Sequence, residues 1–314
     1  MANISYVKHK DIDKEKWDAC IESASNGLIY AYSFYLDSMS KNWDALVMNN
    51  YEAVMPLTWN KKFGILYLRQ PAFTQQLGIF GKRTFNKELT EQFIHKASET
   101  FSFAEINLNY ANEYPEYFLK KCNLILPLNQ PFDELKKSFR NDLIKRSQSA
   151  HLIYSSSESV EEAIQLFKHL YSERLPGLKK ADYENLLQLC LLLKNKNQLL
   201  IRKIKSKDES LLSIALFFKD KKRIYYILSA LLPEGRKYDA NAFLLHEVIK
   251  EFSNQNLVFD FEGSDIPSIH FFFKKYSPVK QPYFFVKINK LPFWKKWIKI
   301  VYDHYRQSGL INKE

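Results

Sequence analysis

The sequence predicts an α/β protein made of two tandem copies of one domain. Strand-like and helix-like stretches alternate along the chain, and the order of elements in the first half returns in the second. A proline-punctuated basic segment separates the halves. The chain has 314 residues, 46% hydrophobic and 15% aromatic with 8 glycines, enough for a large packed core.

In the first half, "ISYVKH" reads as a strand and "DKEKWDACIESAS" as a helix with Asp13 as its N-cap. "SFYLDSMSKN" is a second short helix. The strand runs "WDALVMNN", "YEAVMPLTWN" and "FGILYLRQP" follow, with Asn49-Asn50 marking a tight turn. "NKELTEQFIHKASETF" places Leu89, Phe93 and Ala97 at helical spacing. "FAEINLNY" alternates as a strand and "NLILPL" is another. The second half begins with strand "HLIYSSSE" and helices "SVEEAIQLFKHLYSER" and "ADYENLLQLCLLLKN". Strands "QLLIRKIKS", "SLLSIALFFKD" and "RIYYILSALL" come next, then a loop "PEGRKYD" and helix "ANAFLLHEVIKEFSN". Strand "LVFDFEG", a short helix opened by Pro267 and strand "YFFVKI" close the series. Pro127 and Pro131 put the seam near residue 128, giving domains 1–128 and 129–290 and a tail, 291–314.

Three widely spaced cysteines (Cys20, Cys122, Cys190) fit neither zinc nor disulfide spacing, and the seven histidines form no ligand pair, so no metal is expected. The start "MANISYVKHKD" has no apolar signal-peptide core and no run approaches a membrane span, so a cytoplasmic protein is expected. A net charge of +11 favours anionic partners, although scattered lysines equally make a solvated surface. The chain lacks a G-x-S-x-G elbow, a P-loop and a dinucleotide fingerprint.

Asp260 and Glu262 interrupt an apolar strand, where a carboxylate needs a partner. Two residues apart, they share one face of a regular strand, opposite Phe259 and Phe261. The segment "DELKKSFRNDLIKRSQ" reads as one basic helix carrying Lys136, Lys137, Arg140, Lys145 and Arg146. Arg140 lies three to five residues from Lys136, Lys137 and Lys145, so part of the set can share one face. Arg offers bidentate contact to phosphate or carboxylate. Arg69, Gln70, Gln75 and Gln76 in "YLRQPAFTQQLGIF" could line a groove between the domains or be ordinary loop residues.

The element order, with "FRNDLIKRSQSA" at the seam and "FDFEGSDIPSIHFFFKKYS" near the end, resembles the FemAB-like branch of the GNAT acyltransferases. The resemblance implies two GNAT-like domains, each a mixed, mostly antiparallel sheet flanked by helices. It implies transfer of an acyl or aminoacyl group to an amine of a cell-envelope precursor or related metabolite. No cofactor is required; aminoacyl-tRNA or acyl-CoA would be the donor. Arg140, Lys145 and Arg146 match the family's basic seam residues, and Asp260, Glu262 and Gly263 match its acidic strand end. Lys274, Lys275 and Tyr276 match its FK-x-x-FG-like ending, with Phe273 where the first lysine normally stands. Glu262, nearer the strand's carboxyl end, is expected to be the functional carboxylate and Asp260 the ion-paired one, with Arg140 or Arg146 as partner.

A GNAT domain wraps pyrophosphate with a glycine-rich loop before its long helix. The matching residues are Arg236, Lys237, Tyr238, Asp239, Ala240 and Asn241, with Asp239 and Asn241 in place of glycines. Asp239 repels a pyrophosphate and serves equally as a helix N-cap, so ordinary acyl-CoA binding is disfavoured; Arg236 and Lys237 still suit an anion such as a tRNA 3′ end. The tail "LPFWKKWIKIVYDHYRQ" interleaves tryptophans and lysines over 291–307, a pattern that suits either an anionic membrane face or packing on its own domain.

Overall fold

The computed structural model describes residues 3–146, 151–262 and 266–292. In chain order its elements are β1 (Ile4–Val7), α1 (Lys14–Ser23), α2 (Ser33–Met39), β2 (Trp43–Met48), β3 (Ala53–Lys62), β4 (Ile65–Arg69), β5 (Phe80–Gly81), α3 (Lys87–Thr100) and β6 (Phe103–Leu108). They continue with β7 (Leu119–Pro127), α4 (Phe132–Lys137), α5 (Asn141–Arg146), β8 (Leu152–Ser156), α6 (Val160–Tyr171), α7 (Lys180–Asn195), β9 (Leu199–Ser206), β10 (Leu211–Lys219) and β11 (Arg223–Leu231). The series ends with α8 (Pro233–Lys237), α9 (Ala240–Glu251), β12 (Val258–Asp260), α10 (Pro267–Phe273) and β13 (Val279–Asn289).

Two compact units result: 1–119 with the residues from 284 onward, and 120–283. In the first unit the sheet order is β1-β2-β3-β4-β6 followed by Phe284–Asn289 of β13, with β5 on β3. Only the β4–β6 step is parallel. In the second unit the order is β8-β9-β10-β11-β12-β7, and again only the fourth step, β11–β12, is parallel. The repeat read from the sequence is therefore a repeat of topology. The division differs from the expected seam near residue 128. Strand β7 completes the second unit's sheet, and the end of β13 completes the first, so each sheet closes with a strand from the other sequence half. No helix intervenes between β6 and β7.

Local signals explain the helices. Asp13 accepts the Lys16 N–H at 3.1 Å, Asn86 that of Leu89 at 3.0 Å, and Ser159 that of Glu162 at 3.2 Å, each satisfying an orphan donor at a helix start. Pro267 opens α10 as expected, and every residue of β2 is buried. The first core gathers Leu46, Met55, Phe93, Ala97 and Val286 between sheet and α3; the second gathers Leu126, Ile224, Leu245, Phe259 and Phe261 around α9.

His246 of α9 is 5% exposed, with Phe132 edge-on at 4.8 Å. Burial, then Lys136 and Lys250, push its pKa down to about 4 from 6.5. Folded His246 thus stays neutral while the unfolded chain takes up a proton near 6.5. Between these values the unfolded state binds more protons, so stability falls as pH drops from 6.5 toward 4. The melting temperature of His246→Met should decline less than wild type over that interval; parallel curves would show that His246 does not carry the effect.

Candidate active site

The second unit's sheet comes apart at one place. Parallel β11 and β12 pair at three positions only, Arg223↔Val258, Ile224↔Phe259 and Tyr225↔Asp260. Strand β12 then stops, whereas β11 runs on to Leu231. Opposite β10 the register of β11 shifts, Leu216 facing Leu228 and Phe217 facing Tyr226, so Ile227 is an extra, bulged residue. A bulge bends its strand and sharpens the local twist, and this one lies where β11 leaves β12. The first turn of α9 borders the resulting gap. Asn241 Oδ1 accepts from Ser229 Oγ at 2.8 Å and from Tyr226 Oη at 3.1 Å, tying α9 to the bulged strand.

Asp260 and Glu262 sit at the strand end beside this gap. Asp260 is 1% exposed and ion-paired with Arg223, itself 5% exposed. Its Oδ1 also accepts from Asn123 Nδ2 at 2.8 Å and from the Glu262 N–H at 3.0 Å. Arg223 donates in addition to Gln281 Oε1 at 3.1 Å. One carboxylate is thus paired and buried while the half-buried Glu262 lies at the surface edge. Two corrections follow. The partner of Asp260 is Arg223, not Arg140 or Arg146. The two acids also do not share a strand face: Glu262 has φ 50, a left-handed conformation, so the strand does not continue through it. Such a backbone costs about 1–3 kcal/mol for a residue other than glycine. The charged hydrogen bond from its N–H to Asp260 is of similar size, about 1.5–3 kcal/mol, so it can hold the turn. Gly263 lies outside the described residues.

The expected seam helix is two helices. It breaks between α4 and α5 because the Arg140 N–H donates to Lys275 O at 2.9 Å instead of continuing the helical ladder. This brings Arg140, Lys275, Asp142 and Phe271 together. Lys275 Nζ donates to Asp142 Oδ2 at 2.6 Å and Arg140 Nε to Asp142 Oδ1 at 3.2 Å. The exposed Phe271 ring lies 5.6 Å from Lys275 Nζ and 5.8 Å from the Arg140 guanidinium carbon. The Lys275 hydrogen bond holds the Asp142 carboxyl below its usual range. Lys274 is exposed. Tyr276 does not face solvent: it is fully buried, its hydroxyl donating to Ala242 O at 3.2 Å, so its role is packing rather than substrate contact. Lys145 and Arg146 lie in α5, and their side chains are outside the described residues.

The segment expected as a phosphate loop holds the helical turn α8. Gly235 faces β10 so closely that a Cβ there would meet Leu212 O at 2.2 Å. Arg236, Lys237 and Tyr238 are exposed, and Lys237 pairs with Glu234 at 2.6 Å. Asp239 precedes α9 with φ 50 and ψ 35, a backbone that favours glycine, so the glycine conformation persists with a carboxylate on it. Its side chain does not make the expected N-cap hydrogen bond.

In the first unit, Arg69 ends β4 exposed. Gln76 is buried and stitches the loop, while Gln75 is half-buried and takes part through its backbone carbonyl. The Asn107 side chain donates to Gln75 O at 3.0 Å, and the Tyr110 N–H to the buried Gln76 Oε1 at 3.1 Å. The Asn107 N–H goes to Gln70 Oε1 at 3.1 Å, and Leu77 bridges Leu108 in parallel. These bonds fill the space beyond the β4–β6 pairing. Among the described residues no group of His, Cys, Asp and Glu could hold a metal ion, and no helix is long and apolar enough to cross a membrane. Most of the tail, 293–307, lies outside the described residues.

Comparison with known proteins agrees with this fold. FemX superposes with a TM-score of 0.60 at 13% identity, over 89% of this chain and 96% of that one. A tandem GNAT protein from the clavulanic acid biosynthesis pathway gives 0.53 at 10% identity, covering 92% and 99%. A C-terminal domain assigned to a lysylphosphatidylglycerol synthetase of Agrobacterium fabrum gives 0.50 at 10% identity, covering 88% and 92%. No curated protein sequence matches the chain. The fold is thus the tandem GNAT fold of the FemAB-like proteins. Residues 137–274, within the second unit, match the family described as "Acetyltransferase (GNAT) domain".

Asp260→Asn replaces one partner of a buried ion pair and should cost about 3–5 kcal/mol of stability in denaturant unfolding. Glu262→Gln should leave the unfolding midpoint nearly unchanged; equal losses in both variants would remove the distinction between the two acids. Gly235→Ala forces a methyl against Leu212 O, and overpacking of this kind costs about 1–3 kcal/mol in the same measurement.

Proposed function

We propose that the chain transfers an aminoacyl group, or another acyl group, to an amine of a cell-envelope precursor or related metabolite, with Glu262 as the proton acceptor. The observation that carries this reading is the gap between β11 and β12 with a half-buried carboxylate at its edge. The acyl carbonyl lies along the open edge of β11, where backbone N–H groups polarise it. The amine attacks the carbonyl carbon, the new C–N bond forms, and the bond to the leaving oxygen or sulfur breaks. Glu262 takes the proton the amine loses, and the leaving group recovers one in turn. Most of the rate comes from holding the two substrates together. Arg140 and Lys275, flanking Phe271, bind the anionic part of a substrate, and Lys274, Arg236 and Lys237 add positive field.

An aminoacyl ester such as aminoacyl-tRNA is the donor favoured by α8 and Asp239, because a carboxylate stands where a GNAT loop receives pyrophosphate. A neighbour named for lysylphosphatidylglycerol synthesis supports the same class. A second reading, an acyl-CoA donor, is favoured by the acetyltransferase description of the matching family. Calorimetry with acetyl-CoA separates them: no micromolar binding is expected, and binding at that level would establish the second reading.

Transfer is tested by offering bulk tRNA charged with a mixture of ¹⁴C amino acids, and separately ¹⁴C-acetyl-CoA, with a peptide carrying a free lysine amine. Label should pass to the peptide from the tRNA, and Glu262→Gln should slow it by about 10²–10⁴-fold, leaving a measurable residual rate. Arg140 is exposed, so Arg140→Ala should weaken donor binding by about 1–3 kcal/mol while the melting temperature stays put. An early-melting Arg140→Ala protein would make this residue an internal strut.

A further inference from the structure

We propose that Asp260 is the positioning residue for Glu262, and that Asn123 and Arg223 act on the reaction through it. This inference rests on the reading of Glu262 as the proton acceptor. The geometry is that of a buried clamp. Arg223 holds one carboxylate oxygen of Asp260; Asn123 and the Glu262 N–H share the other, at 2.8 and 3.0 Å. Asn123 is itself held, because its Oδ1 accepts the N–H of Leu124 at 2.9 Å. The clamp therefore has no slack: each polar atom that touches Asp260 is anchored to a strand.

What the clamp fixes is a backbone turn. The Phe261 N–H still pairs with Leu124 O at 3.1 Å, as in a continuing strand. The Phe261 ring is fully buried, 4.9 Å from Phe259 and 4.9 Å from Phe273. One residue later Glu262 has φ 50. Packing pins Phe261 on one side, and the Asp260 carboxylate captures the next N–H on the other. Glu262 is thereby turned out of the strand direction at the point where β12 leaves β11. Glycine would adopt this backbone freely but carries no proton acceptor. A glutamate there needs an outside acceptor for its N–H, and Asp260 supplies it.

The test begins with the folded wild-type protein, labelled with ¹⁵N at glutamate and phenylalanine. The Glu262 amide should exchange with deuterium slowly, as the Phe261 amide does; exchange at the rate of an open loop overturns the proposal without any variant. In Asn123→Ala the ion pair remains but Asp260 is loosened. The Glu262 amide should then exchange at least tenfold faster while Phe261 is unchanged, and unchanged Glu262 exchange overturns the clamp. In the transfer assay with charged tRNA, Asn123→Ala should lower kcat about tenfold with KM within twofold. Added to Glu262→Gln it should cause no further loss, as expected of residues acting in series. A further tenfold loss in the double variant overturns the route through Glu262. Full activity in Glu262→Gln sinks the functional reading itself, and the exchange result distinguishes that failure from failure of the clamp.

Discussion

The second unit depends on one buried ion pair. Burying Arg223 and Asp260 carries a desolvation cost of several kcal/mol per ion, which only close geometry and further hydrogen bonds offset. Both conditions are met. Arg223 starts β11, Asp260 ends β12, Asn123 comes from β7 and Gln281 from the start of β13. Four strands supply this one buried polar cluster, so displacement of any one leaves a buried group without its partner. Apolar residues of similar volume would pack there equally well. They would not fix the register of β12, whose three residues give few ladder bonds to hold it, nor accept the Glu262 N–H.

The gap beside β12 follows from the same arrangement. The pair locks β11 to β12 through Tyr225 and Asp260, and the bulge at Ile227 turns β11 away immediately afterwards. Past that point Asn241 ties α9 to Ser229 and Tyr226, and the Tyr171 hydroxyl of α6 accepts the Leu231 N–H at 3.4 Å. The segment joining β11 to α9 keeps a left-handed residue at its last position, as a glycine loop would, yet places Asp239 there and spends the preceding residues on a helical turn. The segment thus keeps a backbone that favours glycine while carrying a carboxylate on it.

Much of this was legible in the sequence, and the rest was hidden for identifiable reasons. Helix starts at Asp13 and Pro267 were readable because capping is local. That Asp260 is ion-paired was readable because a carboxylate in an apolar strand needs a partner. The partner Arg223 was not, since it lies 37 residues away and meets Asp260 only through parallel pairing. A signal existed in retrospect: an arginine opening "RIYYILSAL" and an asparagine inside "CNLILP" are polar residues in buried strands. The exchange of β7 and β13 between sheets was hidden because strand pairing is not ordered by sequence proximity. The broken seam helix was hidden because its cause, the carbonyl of Lys275, is remote. Gln76 looked like a substrate contact because a buried amide that stitches a loop has the same composition as one that lines a groove.

The two units share one sheet order, so their differences indicate which carries the chemistry. Each has a parallel fourth step, at β4–β6 and at β11–β12, each only three residue pairs long. In the first unit the chain leaving β4 returns to the space beyond that step. Leu77 bridges Leu108, and the amides of Gln70, Gln76 and Asn107 take up the backbone groups exposed there. In the second unit the corresponding place is bordered by Ser229, Tyr226 and Asn241, and the Leu231 N–H of β11 donates to the Tyr171 hydroxyl of α6 at 3.4 Å. The two copies therefore finish the same sheet step differently: the first with the amides of a returning loop, the second with hydroxyls of α6 and β11 and with Asn241 of α9.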